Sequence, residues 1–393
     1  MKIRLEPRYE KFRDEVRAFL DKELTDELRA ASRATAGTIT DYPHGIAWQR
    51  ILHRRGWAAP SWPKEYGGPG WDAIEKFIFN TECGEASAPT WPNMGIFLCG
   101  PAIIGYGSDA QKARYLPAML SGEDFWAQGY SEPGAGSDLA SLRMRAESDG
   151  DDYILTGSKI WTTHAQYANR MFALARTADT PRPHDGISFL LLDMDTPGIT
   201  VRPLRTIAGE DDFNEIFFDG VRVPKANRLG EENQGWAVAK YVLEFERGVS
   251  AAGKLRRSLA FTRRVIDDAG DAARAGLGLR MARAEIAVDT IEFMELRMTM
   301  ALASGQRPGA ASSILKLRSA ELIQQLSEIA LDAGGPRAII DRSDASERAT
   351  EGDARAQDIL DATARYFGQR AVSIAGGTSE VQRNIIAKTI LGL

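Results

Sequence analysis

Between about Phe125 and Asn227 the chain reads as short apolar runs, whereas the stretches on either side repeat at helical spacing. This change of period constrains the fold more than any other feature, because a strand pattern does not settle as a helix, nor a helix pattern as a strand. The runs are Tyr153 to Trp161, broken at Gly157, then Phe172 to Ala175, Ile187 to Leu192 and Glu215 to Phe218. Gly, Pro and Asp stand between them, and Asp149-Gly150 and Asp219-Gly220 read as hairpin turns. With no helical stretch inside it, this block predicts a small antiparallel barrel or sandwich. Before it, Phe12, Val16, Phe19 and Leu20 fall on one helix face, with a turn-rich loop from Pro60 to Gly70 and a second break or helix start at Gly100-Pro101. After it, Ala282, Ile286, Phe293, Leu296, Met300 and Ala303 predict one long core-facing helix, and Leu315, Leu322, Leu326, Ile329 and Ala333 the next. The expected divisions are 1–124, 125–232 and 233–393.

Composition narrows the class. The 393 residues suit two or three domains, and 49 Lys plus Arg against 54 Asp plus Glu give a net charge of −5. That balance argues against a nucleic-acid binder or a polybasic membrane-surface protein. The longest aliphatic run, Ile187 to Leu192 around Ser188, is far short of the ~20 residues of a membrane span. The mixed-charge opening, Met1 to Glu6, does not read as a signal peptide. Cys83 and Cys99 read as free thiols rather than a staple, and four scattered histidines argue against a metal site. A soluble, cytoplasmic protein is expected.

Four segments carry chemistry. Ser131-Glu132-Pro133-Gly134-Ala135-Gly136-Ser137-Asp138 offers glycines that let backbone N–H groups approach an anion or a flat ring, though it also reads as an ordinary loop. In Gly157-Ser158-Lys159-Ile160-Trp161-Thr162-Thr163, Trp161 and Thr163 share a face and Thr162 points the other way. The indole suits a stack beside a flavin ring, or equally a core position at a barrel rim. Glu244, Glu246 and Arg247 stand before a small-residue helix; a desolvated carboxylate there suits a general base, and a solvated Glu–Arg pair is the plain alternative. Gly376-Gly377-Thr378-Ser379-Glu380 precedes the last helix, as a ligand-facing turn, a cap, or both.

In this order and spacing the four segments resemble the acyl-CoA dehydrogenase family of flavoenzymes, and the likeness extends to the closing Asn384-Ile385-Ile386-Ala387-Lys388. The resemblance implies an α+β, mainly α fold: an N-terminal helical domain, a central antiparallel β-domain and a C-terminal four-helix bundle. It implies FAD bound between subunits of a homo- or heterotetramer (a dimer of dimers), an acyl-CoA oxidised to the trans-2-enoyl-CoA, and electron-transferring flavoprotein as acceptor. Gln128, Tyr130, Ser131, Gly136 and Ser137 match the flavin-binding loop, with Ser137 also near the substrate. Trp161, Thr162 and Thr163 match the residues beside the flavin ring, and Thr378 and Glu380 match further FAD contacts. Arg247 matches an arginine near the thioester and Gly377 a substrate-side glycine.

The family base commonly stands immediately before the Gly-Thr of the last motif, where this chain has Gly376. A smaller branch, typified by the isovaleryl- and long-chain-acyl-CoA enzymes, carries its glutamate just before the arginine, where Glu246 stands. The resemblance also implies that the backbone N–H of Gly376, with a flavin ribityl hydroxyl, polarises the thioester carbonyl. In place of the family's Arg-x-x-Phe-Gly the chain has Thr262-Arg263-Arg264 onward, and Gly334-Gly335-Pro336 only loosely resembles the second cross-subunit contact. Chain length, branching and ring content of the acyl group stay open. The alternatives are an oxidase or monooxygenase relative, and a partner subunit of a heteromeric dehydrogenase.

Overall fold

A computed structural model of the chain describes residues 5–37, 39–90, 94–246, 251–304, 309, 311–339 and 354–393. The N-terminal layer holds Pro7–Glu23 (α1), Asp26–Ala34 (α2), Tyr42–Arg55 (α3), Ala73–Glu85 (α4), Gly100–Tyr106 (α5) and Asp109–Ser121 (α6). Their starts are written in local chemistry. Thr25 accepts from the Leu28 N–H, and Asp72 with Glu75 and Ser108 with Gln111 form reciprocal capping boxes. The face read on α1 is buried at Phe12, Val16 and Leu20, against Trp57 and Phe79.

The central strands are Trp126–Gly129 (β1), Arg145–Asp149 (β2), Asp152–Thr163 (β3), Arg170–Arg176 (β4), Ile187–Asp193 (β5), Ile199–Leu204 (β6), Phe213–Pro224 (β7) and Arg228–Leu229 (β8). They form one sheet in the order β6-β7-β3-β2-β4-β5-β8, with β1 also on β4. Most pairs are antiparallel as expected, but β1–β4 and β2–β4 run parallel. The β2–β3 hairpin lies between β1 and β4 in the chain, which gives the connection length that a parallel pair requires. Asp149-Gly150 is the expected hairpin turn. Asp219-Gly220 is not a turn: it sits inside β7 as a bulge opposite Leu155–Gly157, with Gly220 at φ 64°. Asp-Gly serves a bulge as well as a turn, because both need a left-handed residue. β4 and β5 are covered on both sides. Phe172 and Phe189 stack towards α5 and α6, while Met171 and Leu190 face Tyr153, Leu155 and Phe218. Burial on both faces explains why these strands read as unbroken apolar runs.

The last third holds Gly235–Glu246 (α7), Ala251–Ala269 (α8), Asp271–Ala303 (α9), Ala311–Gly334 (α10), Ala354–Gly368 (α11) and Ser379–Ile386 (α12). Helices α8 to α11 share a core that includes Leu259, Val265, Val288, Leu322, Leu326 and Ile359. The stripe read on α9 needs correction. Leu296 is buried, but Ile286 (67%), Phe293 (38%) and Met300 (52%) are exposed, and Ala284, Val288 and Ile291 face the core instead. With Leu279 (66%) the exposed residues recur every seven positions, the spacing of a seam between helices. α9 thus has two apolar stripes, and periodicity alone does not say which one its own bundle covers. α4 meets α8 at glycine: a Cβ on Gly84 would stand 2.4 Å from the Gly253 Cα. Among the described residues no helix is long and apolar enough to cross a membrane. Both cysteines are free, Cys83 partly exposed and Cys99 buried, and burial pushes the Cys83 thiol up to about 12.

Candidate active site

The loop after β1 is held from beneath. Glu132 turns inward and accepts from the Arg143 N–H (2.6 Å), the Met144 N–H (2.9 Å) and the Lys159 Nζ (2.8 Å). Lys159, with no exposed surface, also donates to the Tyr130 carbonyl at 3.1 Å, and the Ile160 N–H donates to the Ser131 carbonyl at 2.9 Å. Burial pushes the Lys159 ammonium down to about 8, against the opposing pull of Glu132. Backbone bonds between Glu132 and Ala135 close the Pro133-Gly134 turn. On its outer side Gly134, Gly136 and Ser137 are exposed, and a Cβ added at Gly134 or Gly136 would meet nothing within 4 Å. Neither glycine has a left-handed φ. Neither the turn nor internal packing therefore requires glycine at these two positions.

Lys159 and Trp161 would share a face in a regular strand. A bulge between Lys159 and Thr162 prevents it, with Trp161 at φ 60°. Lys159 therefore points in and Trp161 points out, 60% exposed, with its ring edge against Phe213. Thr162 is buried and Thr163 half-buried, so the expected division of faces among Trp161, Thr162 and Thr163 is preserved. Thr162 pairs with Asn214 across β3–β7, and the Thr162 Oγ1 and Asn214 Oδ1 are both buried without a partner among the described residues.

The other two segments stand on helices. The Gly235 end of α7 lies against β5, where an added Cβ would come within 2.4 Å of the Ser188 carbonyl carbon, and the helix ends at Glu246. Arg247 lies outside the described residues. Gly376 (φ 67°) and Gly377 (φ 89°) are both left-handed, and Thr378 caps α12 by accepting from the Val381 N–H at 3.2 Å. Lys316 donates to the Gly377 carbonyl at 2.7 Å, tying this turn to α10. Glu380 is exposed, and its own backbone N–H and the Thr378 hydroxyl hold its carboxyl below the usual range. Within one chain the structure joins the first two segments directly. Among the described residues no hydrogen bond or ion pair joins Thr378 or Glu380 to the 131–137 loop.

Sequence reasoning passed over Glu132 and Lys159. The available signal was a lysine in the middle of a strand run, with an acidic residue inside the glycine loop. The stretch that replaces Arg-x-x-Phe-Gly is used within the chain: the Thr262 hydroxyl donates to the Leu326 carbonyl, Arg263 pairs with Glu285 and Arg264 with Asp358.

Comparison with known proteins matches three consecutive acyl-CoA dehydrogenase profiles: the N-terminal domain over residues 6–123, the middle domain over 127–221 and the C-terminal domain over 233–391. The chain belongs to the acyl-CoA dehydrogenase family. It is 35% identical over 391 residues to the acyl-CoA dehydrogenase IpdE1 of Mycobacterium tuberculosis, covering 98% of this chain and 97% of that one. It is 34% identical to the acyl-CoA dehydrogenase FadE26 of the same organism, over 100% and 99% of the two chains. Among solved structures it resembles one described as the Tcur3481-Tcur3483 steroid ACAD (TM-score 0.86, 29% identity, 100% and 99% coverage). It also resembles the ChsE4-ChsE5 complex of Mycobacterium tuberculosis (TM-score 0.82, 32% identity, 100% and 99% coverage). The protein is an acyl-CoA dehydrogenase oxidoreductase, and FAD is the cofactor of its family. The residues present fit that group: open space over Gly134 and Gly136, an outward indole at Trp161 and an unpartnered hydroxyl at Thr162.

Proposed function

We propose that this chain desaturates an acyl-CoA thioester between Cα and Cβ to the trans-2-enoyl-CoA, with Glu246 taking the α-proton. The observation that most supports this reading is the bulge that turns Trp161 outward beside a glycine loop pinned from below. When bound, FAD supplies the two-electron acceptor for the hydride leaving Cβ. Gln128, Tyr130, Ser131, Gly136, Ser137, Trp161, Thr162, Thr163, Thr378 and Glu380 are the residues that would hold it. The backbone N–H of Gly376 donates to the thioester carbonyl, where negative charge gathers as the α-proton departs; a backbone donor needs no side chain for this. Gly376 has no carboxylate, so Glu246 is the sole base among the two family positions. Ser137, Arg247 and Gly377 position the substrate. A cleft of about 420 Å³ is lined by Arg143, Arg145, Arg176 and Asp179 among others; Arg145 pairs with Asp179 at 3.7 Å and Arg176 is held by backbone carbonyls, so Arg143 is the proposed contact for the CoA phosphates.

The relative described as a steroid ACAD supports a ring-bearing acyl group, and the ChsE4-ChsE5 complex supports a heteromer. The exposed stripe on α9 that repeats every seven positions gives such an assembly, or a homo-oligomer, a surface to cover. Electron-transferring flavoprotein is the proposed acceptor and the cytoplasm the proposed compartment. The purified chain should be yellow, elute above its monomer size and reduce an artificial dye with some member of a panel of straight, branched and ring-bearing CoA thioesters. A yellow protein inert towards the whole panel would remove the dehydrogenase reading. A colourless protein that gains flavin only with a co-expressed homologue would favour the partner-subunit reading.

Gly136→Ala separates ligand from fold. Because an added Cβ there meets open space, the variant should unfold within about 1 °C of wild type, as surface changes do. It should nevertheless bind FAD at least about 10-fold more weakly, since the methyl occupies the approach to the loop. Flavin titration of the apoprotein beside a thermal melt checks both; unchanged affinity would mean that the cofactor does not approach this loop.

A further inference from the structure

Between the N-terminal layer and the bundle lies a small cavity of about 40 Å³, lined by Thr35, Thr90, Lys254, Arg257, Ser258 and Arg365 among others. Among the described residues no acidic side chain lines it. Arg365 is 7% exposed and stacks on the Phe261 ring at 4.0 Å; one of its Nη atoms donates to the Arg33 carbonyl. Arg257 donates to the Ala88 carbonyl at 2.5 Å. The Nε of each guanidinium is fully covered and has no partner among the described residues. Neither arginine forms a salt bridge with a described carboxylate; the Arg257 and Arg264 charges add to burial in weakening Arg365's hold on its proton, and Asp361 and Asp358 oppose them. Burial pushes both down to about 10.

A buried and a half-buried guanidinium, each with a covered Nε that bonds nothing among the described residues, are costly unless an anion joins them. The space fits two or three waters or the head of one oxyanion. Arginine forks and hydroxyl donors from Ser258 and Thr35 suit planar or tetrahedral oxygen groups. We infer that this cavity is a binding site for a small oxyanion, a carboxylate or a phosphate, held by Arg257 and Arg365 with Lys254 at its rim. The oxyanion comes either free from solution or as a carboxylate at the far end of an acyl-CoA. Only the second source rests on the dehydrogenase reading.

The test melts the FAD-loaded full chain in phosphate or glutarate against chloride at equal ionic strength. A saturable rise of about 2 °C at ten times the dissociation constant is expected for a chain of this length. Arg257→Met should abolish the response while melting no lower than wild type without oxyanion, because a half-buried charge with no described counterion has been removed. Lys254→Gln, at the exposed rim, keeps the fold and should weaken binding several-fold should Arg257→Met or Arg365→Gln fail to fold. A response equal to that of chloride, or one that survives both Arg257→Met and Lys254→Gln, overturns the site. Glutaryl-CoA and butyryl-CoA then identify the source. A KM at least tenfold higher for glutaryl-CoA alone in Arg257→Met assigns the carboxylate to the substrate, whereas unchanged values for both thioesters with a lost phosphate response assign a free anion.

Discussion

Glu246→Gln is expected to lower turnover about 1000-fold, within the range that a positioned general base contributes, while the protein keeps its flavin. Glutamine preserves size and hydrogen bonding but cannot accept the α-proton. The other position at which the family places this carboxylate is Gly376, which has none to offer. Gly376 is also left-handed at φ 67°, so a glutamate introduced there would start from a strained backbone. Rescue by Gly376→Glu in the Glu246→Gln background should therefore be poor, and the loss from the single change should stand largely uncompensated. Steady-state rates beside the flavin absorbance ratio measure both halves. A variant that retained more than about a tenth of the rate would place the base elsewhere, with Glu244 the first candidate.

The order of helices, strands and helices was legible because each third keeps its own period. Residues such as Val16 and Leu20, or Leu322 and Leu326, could be placed inward from spacing alone. Three features escaped for identifiable reasons. The exposed face of α9 is apolar, so spacing pointed Ile286 and Phe293 inward, whereas among the described residues the bundle covers Ala284, Val288 and Ile291 instead. Asp219-Gly220 reads as a turn, since the same pair that closes a hairpin also makes a bulge. The parallel pairing of β1 with β4 depends on contacts between segments more than forty residues apart, which local pattern does not encode. At the site, the glycine loop, Trp161 and the Gly376-Gly377 turn were visible as motifs. Glu132 and Lys159 were not, because a charge inside a motif looks solvated until its partner is found 27 residues away.

Lys159→Met should destabilise the chain by about 3–5 kcal/mol, the usual cost of leaving a buried charge without its partner. Glu132 would remain covered, still accepting from the Arg143 and Met144 N–H groups but with no cation against it. Adding Glu132→Gln removes that uncompensated charge, so the double variant should recover a large part of the loss, a coupling that a double-mutant cycle in urea would read directly. Flavin binding should not recover with it. Lys159 also donates to the Tyr130 carbonyl, and that bond fixes the loop where Ser131 and Gly136 are presented. Stability and cofactor affinity should therefore separate in the double variant: a chain near wild-type stability that holds FAD weakly. The pH dependence has a definite sign. With its ammonium pushed down to about 8, Lys159 carries its burial penalty below that pH and sheds it as pH rises towards 10.5, so this group alone does not unfold the chain in alkali. What weakens above about 8 is the ammonium's grip on Glu132 and the Tyr130 carbonyl, so FAD affinity in wild type should fall there and the double variant should show no such fall. Equal pH profiles in the two proteins would mean that Lys159 supports the sheet and not the loop.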